Sequence, residues 1–189
     1  MQAELTHDQL GAALREHAYL EGDFVLRSGR RSRYYLDKYR FETRPELLEA
    51  LADRIAARVS EVEPDAVRLA GPELGAVALA AAASLRSGLP FLIVRKAEKG
   101  YGTGNLLEGG FEAGDRVCLI EDVVTSGGAA AEAVQALRAA GLECRNGVCV
   151  VDREEGGVDA LARLAVRMWP IFTASEVAGA AKGPQKAHG

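Results

Sequence analysis

Two neighbouring carboxylates, Glu121 and Asp122, directly follow the apolar run 117–120 and precede a short segment rich in hydroxyls and glycine. That segment consists of Val123, Val124, Thr125, Ser126, Gly127 and Gly128. An alanine-rich helical pattern begins at once, over residues 129–140. Backbone N–H groups in a glycine-rich turn and at a helix N-terminus attract phosphate. The acids and the N–H groups together predict a ligand with both hydroxyls and a phosphate, such as a ribose 5-phosphate.

An ordinary connection between a strand and a helix is the alternative interpretation of this segment. Two adjacent carboxylates at the end of an apolar strand argue against it, because they repel each other and lose hydration. A fold tolerates that cost more readily when a cation or sugar hydroxyls occupy the site. The acid pair therefore favours a binding site over a structural turn.

A second candidate constellation is the loop at residues 95–109, which holds four glycines and the cations Arg95, Lys96 and Lys99. Loops of this length in compact domains are commonly lids or disordered segments. The alternative is a solvated loop whose lysines only maintain solubility. Beside a phosphate site, the favoured interpretation is a lid whose lysines close over a diphosphate and neutralise it as it leaves.

The elements that must position these residues alternate between strand and helix from residue 66 onward. Strand patterns cover 66–70, 91–95, 116–120, 147–151 and 166–169, and helical patterns cover 76–87, 129–140 and 158–164. This alternation predicts an α/β fold with a mainly parallel twisted sheet and helices on both faces. Polar segments follow four strands, at 71–75, 96–110, 121–128 and 152–157. They should meet at the carboxyl edge of the sheet, where such folds bind ligands.

The N-terminal region is predicted to hold two helices with two short strands between them. Thr6 and Gln9 form a capping box for a helix to about Tyr19, and Thr43 with Glu46 opens a helix through Val59. The strand patterns cover 24–26 and 34–36, with a turn at 28–32. We expect one domain over residues 1–178 and a disordered tail over 179–189, because that tail is small, polar and without an apolar period.

Composition restricts the function further. The 189 residues suit one domain, and the net charge of −4 argues against a general nucleic-acid binder. No apolar run approaches the ~20 residues that span a bilayer, and the start of the chain lacks the pattern of a signal peptide. The three cysteines have no zinc-like spacing and are an odd number. They fit buried small side chains in a reducing cytoplasm.

Segment 117–128 resembles the phosphoribosyl-diphosphate (PRPP) motif of type I phosphoribosyltransferases, in which two acids and two aliphatic residues follow an apolar strand. Three further segments narrow the resemblance to the orotate phosphoribosyltransferase family. Arg95-Lys-x-x-Lys99, with Glu-Gly at 108–109, is similar to that family's catalytic loop. Residues 24–37 are similar to its N-terminal hood over the orotate site, and 151–153 to its pyrimidine-site Asp-Arg. The four motifs occur in the family's order over residues 24 to about 155.

The resemblance implies the type I phosphoribosyltransferase fold with a small N-terminal hood over about residues 1–42. It implies that orotate and PRPP give orotidine 5′-monophosphate and diphosphate, with Mg²⁺ held mainly through PRPP and water. The implied catalytic residues are Lys99, Glu121 and Asp122. The implied PRPP-binding residues are Arg95, Lys96, Lys99, Glu121, Asp122 and the segment 123–128. The implied orotate-binding residues are Arg27, Tyr34, Tyr35, Thr125 and Arg153. A homodimer is implied as well, with the loop 96–109 completing the neighbouring site.

Two departures from the family pattern and two rival functions stay open at this point. Tyr101 stands where many members have histidine, and the loop 71–75 lacks the lysine that some members place there. One rival is a phosphoribosyltransferase for another base, such as a purine, although a purine has no carboxylate for Arg153. The other rival is a PRPP-sensing regulator without catalysis, in which Lys96 and Lys99 would be dispensable.

Overall fold

The computed structural model describes residues 5–25, 29, 31–96 and 106–180. Its helices are His7–Ala18 (α1), Tyr39–Glu42 (α2), Pro45–Val62 (α3), Gly75–Ser87 (α4), Gly128–Ala139 (α5), Gly157–Ala162 (α6) and Ala174–Gly179 (α7). Its strands are Tyr19–Val25 (β1), Arg31–Leu36 (β2), Arg68–Pro72 (β3), Phe91–Val94 (β4), Leu107–Glu108 (β5), Arg116–Val124 (β6), Glu143–Asp152 (β7) and Arg167–Thr173 (β8).

A six-stranded sheet in the order β5-β4-β3-β6-β7-β8 forms the centre of the molecule. Its strands pair in parallel, except that β5 runs antiparallel to β4. Apolar side chains of α1, α3 and α4 pack on one face, and those of α5 and α6 pack on the other. Because both faces are covered, β6 and β7 are nearly continuous runs of buried residues. The predicted α/β fold with a mainly parallel sheet is confirmed.

The N-terminal region is a helix followed by a separate two-stranded antiparallel hairpin, β1 and β2. The predicted capping box starts α1, since the Gln9 backbone N–H donates to Thr6 Oγ1 (3.2 Å) and the Thr6 N–H donates to Gln9 Oε1 (2.9 Å). Both strands begin earlier than predicted. The rings of Tyr19 and Tyr34 stack across the hairpin at 4.9 Å, which gives Tyr19, ahead of the predicted start of β1, a cross-strand partner.

The boundaries of α3, β6 and α7 also differ from the sequence predictions. Arg44, without a side-chain cap, is the N-cap of α3, whereas Thr43 ends α2 and donates its hydroxyl to the Tyr39 carbonyl oxygen (2.5 Å). Strand β6 continues to Val124, so the acid pair lies inside the strand and not after it. The last helix, α7, has its own capping box at Thr173 and includes Gly179, which was predicted to begin the tail. Residues 181–189 lie outside the described part of the chain.

The predicted meeting of polar segments at the carboxyl edge is confirmed for the segments that the structure describes. The Asp122 carboxylate lies against Gly75, at the end of segment 71–75, so closely that a Cβ at this glycine would be 1.6 Å from Asp122 Oδ2. On the other side of β6, the backbone at Thr125 and Gly127 packs against Gly157. No helix within the described ranges combines the length and apolar character that crossing a membrane requires.

Candidate active site

A cavity of about 950 Å³ opens where β6, β7 and the N-terminal hairpin meet. It brings together ten of the residues that the sequence predicted for the site, which are Tyr35, Lys96, Glu121, Val123, Val124, Thr125, Ser126, Gly127, Gly128 and Arg153. Five further residues complete the lining, namely Val25, Ala129, Ala130, Glu132 and Glu155. The cavity therefore joins the predicted phosphate segment to the predicted base site.

Residues 125–128, called the phosphate loop below, connect β6 to α5. Gly127 adopts the left-handed conformation at φ 79°, which favours glycine, and it caps α5 without a side-chain hydrogen bond. The first N–H groups of a helix have no partner within the helix, and no side chain caps them at this end. Thr125, Ser126 and Gly128 are exposed to the cavity. The loop can therefore offer backbone N–H groups and two hydroxyls to an anion.

A close backbone contact between Gly157 and the phosphate loop fixes the position of this loop. A Cβ at Gly157 would lie 2.3 Å from the Thr125 carbonyl oxygen and 2.9 Å from the Gly127 nitrogen. Because both neighbours are backbone atoms, the loop would have to move to accept a side chain.

Gly157→Ala should therefore raise the KM for PRPP by about 10- to 100-fold, since displacements of about 1 Å in a site can cost that much. Steady-state kinetics at varied PRPP test this prediction. Gly110→Ala is the matched control, because no atom lies within 4 Å of a Cβ built there. Equal KM values for PRPP in the two variants would contradict a phosphate-binding role for the loop.

Glu121 is the acid that faces the cavity, and it is almost completely buried. Burial raises the pKa of its carboxyl well above the ordinary value, and the neighbouring charge of Asp122 raises it further. Lys38 partly offsets both effects. A buried carboxylate at this position can accept hydrogen bonds from the hydroxyls of a sugar.

Asp122 points to the opposite side of the sheet, because successive residues of a strand face opposite ways. Its Oδ2 accepts a hydrogen bond from Lys38 Nζ and its Oδ1 accepts one from the Val123 N–H, each at 2.5 Å. Within the described residues, it is not part of the cavity lining. The sequence predicted that the acid pair would need a cation or sugar hydroxyls, but it gave no signal that Lys38 is that cation.

Arg153 is a buried cationic group of the cavity, with 8% of its surface exposed. Its guanidinium lies 4.8 Å from the centre of the Tyr34 ring, and that ring stacks in turn on Tyr19. Arg153 Nε is 3.2 Å from Glu155 Oε1, but it makes no well-aligned hydrogen bond. The aromatic stack holds the planar guanidinium of Arg153 at the cavity wall. Its charge and paired N–H donors suit a carboxylate. Tyr35 lines the same cavity, whereas Tyr34 supports Arg153 from behind.

The predicted diphosphate-binding residues divide between the cavity and its border. Lys96 lines the cavity, and its backbone N–H donates to Glu73 Oε1 at 2.8 Å. Arg95 lies between two carboxylates, 3.7 Å from Glu73 Oε2 and 3.8 Å from Glu108 Oε1, outside the cavity lining. Arg27, Lys99 and Tyr101 lie outside the described residues.

The raised pKa of Glu121 has a measurable consequence. As the pH falls towards the ordinary carboxyl value of 4.5, Glu121 takes up a proton early and loses its full capacity as an acceptor. The kcat/KM for PRPP should therefore fall on an acid limb that lies above pH 4.5. Glu121→Gln should abolish this limb and lower kcat/KM by about tenfold or more on the alkaline side.

A pH profile of both proteins measures the acid limb. Glu61→Gln, which neutralises an exposed carboxylate on α3, should keep the wild-type profile. A limb that persists in Glu121→Gln would assign the titration to another group.

Comparison with known proteins identifies the family of this chain. No family model matches the chain. It is 49% identical to the orotate phosphoribosyltransferase of Methanocella arvoryzae over 84% of the chain and 89% of that protein, and 43% identical to that of Methanopyrus kandleri over 98% and 99%. The crystal structure of Mycobacterium tuberculosis orotate phosphoribosyltransferase in complex with PRPP superposes with a TM-score of 0.76 at 26% identity, covering 91% of this chain and 98% of that one. This chain belongs to the orotate phosphoribosyltransferase family.

Proposed function

We propose that the protein transfers the phosphoribosyl group of PRPP to orotate, which yields orotidine 5′-monophosphate and diphosphate in pyrimidine (UMP) biosynthesis. One observation carries the proposal: an acid, a phosphate loop and a buried arginine line a single cavity. A phosphoribosyl donor needs the first two groups, and a base with a carboxylate needs the third. The similarity to named orotate phosphoribosyltransferases over most of the chain supports the same activity.

The reaction is a displacement at the anomeric carbon of the ribose, with a loose, oxocarbenium-like transition state. It requires positioning, exclusion of water and stabilisation of charge on the diphosphate, and no residue has to act as a nucleophile. The phosphate loop would bind the 5-phosphate, and Glu121 would hold the ribose hydroxyls, whereas Asp122 lies on the opposite face of the strand. Arg153 would bind the orotate carboxylate, flanked by Tyr35. We assign Arg95, Lys96 and Lys99 to the diphosphate.

Mg²⁺ fits this site as an ion that the substrate brings. Within the described ranges, no group of three His, Cys, Asp or Glu residues is placed to hold a metal. Mg²⁺ keeps several waters and commonly binds through substrate phosphates, so a dedicated protein cage is not required. When bound, it would supply positive charge to the departing diphosphate. Activity should depend on added Mg²⁺ and should be lost with excess EDTA.

A substrate panel tests the proposed function. Purified protein, PRPP and Mg²⁺ are mixed with orotate, uracil, adenine or hypoxanthine, and diphosphate release is measured for each base. Release with orotate alone is expected, because only orotate offers a carboxylate to the buried Arg153. Release with a purine would favour a purine phosphoribosyltransferase, and no release with any base would favour a PRPP sensor.

We further propose a homodimer in the cytoplasm, in which the loop 96–109 of one subunit completes the site of its partner. The family resemblance supports the dimer, and the cysteine content supports a reducing compartment. Mixing a Lys99→Ala subunit with an Arg153→Met subunit tests the shared site. The mixture should regain activity if the two residues act from different subunits, whereas a site built within one subunit would give no recovery.

A further inference from the structure

Lys38 connects the N-terminal hood to the acid pair of β6. It lies two residues after the end of β2 and is the N-cap of the short helix α2. Its ammonium donates to Asp122 Oδ2 at 2.5 Å, where Lys38 is about one-third exposed and Asp122 is 5% exposed. Burial disfavours the charged form of Lys38, but the attraction to Asp122 outweighs it and raises the pKa of this lysine. The pair is therefore an ionic contact between residues 84 positions apart.

The Asp122 carboxylate is held from three directions. The Val123 N–H binds its Oδ1, Lys38 binds its Oδ2, and the backbone of Gly75 lies directly against the same oxygen. A Cβ at Gly75 would also come within 2.5 Å of Lys38 Nζ. This packing leaves Asp122 on the α4 side of the sheet and leaves Glu121 on the cavity side.

A third carboxyl belongs to the same group. Glu42 lies one helical turn after Lys38, is 4% exposed, and its Oε1 has no hydrogen-bond partner within the described part of the molecule. Burial and the nearby Asp122 raise the pKa of Glu42 to about 8. We call Glu42, Asp122 and Glu121 the carboxyl cluster. Lys38 contributes to the charge environment of all three members.

On the basis of the proposed function, we propose that Lys38 is a positioning residue for the phosphoribosyl transfer. It holds Asp122 away from the cavity and partly balances the charge of the carboxyl cluster, so that Glu121 is the acid that meets the ribose hydroxyls and its charged form is favoured by the nearby cation. The N-terminal region thus acts on the sugar end of the site through Lys38, in addition to lining the cavity through Val25 and Tyr35.

The surroundings of the carboxyl cluster determine what the removal of each charge should do. The other titratable groups near it are Asp37 and Tyr39 from the hood, Cys149 from β7, and Lys96, Glu132, Arg153 and Glu155 around the cavity. Among the charges that act on Glu121, the charge of Lys38 lowers the pKa of its carboxyl, and the charge of Glu42 raises it. Removing the one or the other should therefore change the ionisation of Glu121 in opposite directions.

The experiment is a pH profile of kcat/KM for PRPP in wild type, Lys38→Met, Lys38→Arg and Glu42→Gln. We expect the acid limb to move to higher pH in Lys38→Met and to lower pH in Glu42→Gln, where a displacement of one unit is about tenfold in rate on the limb. Lys38→Arg keeps the positive charge and should keep the acid limb at its wild-type position. Arg58→Gln is the control, since it removes an exposed cation of α3 that is paired with Glu61 and is not among the groups near the cluster, and it should leave the profile unchanged.

The outcomes separate this inference from the proposed function. Wild-type protein without activity on PRPP and orotate would contradict the proposed function itself. Active wild type with an unmoved limb in both variants, or with limbs that move in the same direction, would overturn the role of Lys38. If Lys38→Met does not fold, as judged by thermal unfolding, the near-isosteric Glu42→Gln still decides by the direction of its shift.

Discussion

Replacing Arg153 with methionine is expected to raise the KM for orotate by about 10- to 100-fold, because a hydrogen-bonded pair with a charged group contributes roughly 1.5–3 kcal/mol. The guanidinium is buried and lies over the Tyr34 ring, so methionine keeps much of the packing and removes only the charge and its donors. The KM for PRPP should change by less than about threefold, since the phosphate loop is untouched. Initial rates at varied orotate and saturating PRPP give the first value, and the reverse titration gives the second.

Two further variants sharpen the result. Arg153→Lys keeps the charge but loses the planar fork, and it should fall between wild type and methionine. Arg163→Met removes an exposed arginine at the end of α6 and serves as the control. If Arg153→Met weakens PRPP binding and leaves orotate binding intact, the assignment of the base site is wrong.

Lys99→Ala is expected to lower kcat by roughly 100- to 1,000-fold, the scale seen when a group that stabilises charge in the transition state is removed. Lys99 lies outside the described residues, and the expectation follows from the family loop motif that begins at Arg95. Because the contact with the departing diphosphate would form mainly in the transition state, the KM for PRPP should change much less than kcat.

Single-turnover measurements with saturating PRPP isolate the chemical step for this variant. Glu98→Ala, which changes the neighbouring residue of opposite charge, is the control and should retain most activity. A Lys99→Ala protein with weaker PRPP binding but normal turnover would remove Lys99 from catalysis and leave it as a binding residue only.

The fold and most of the cavity could be predicted because their signals are local in the sequence. The apolar run of β6, the glycines after it and the helical pattern of α5 lie within one stretch of about 25 residues, so their order fixes a strand, a loop and a helix. Parallel strands then bring the loops after β6 and β7 to one edge of the sheet. The phosphate loop and Arg153 therefore meet as predicted.

The arrangement of the acid pair could not be predicted from local signals. The sequence shows Glu121 and Asp122 as neighbours, but the continuation of β6 to Val124 places them on opposite faces. The partner of Asp122 is the N-cap of a helix of four residues, which is too short to produce a helical period. Likewise, Arg153 contacts Tyr34, although the two residues lie far apart in the sequence. The motifs assigned each residue to orotate separately and gave no signal of a contact between them.

The position of PRPP in a crystal structure of the protein with PRPP and Mg²⁺ tests the central claim most directly. The 5-phosphate should lie within hydrogen-bonding distance of the backbone N–H groups of residues 125–128, and a ribose hydroxyl should donate to the Glu121 carboxylate. PRPP bound elsewhere on the protein, or bound here with its ribose turned away from Glu121, would contradict the account.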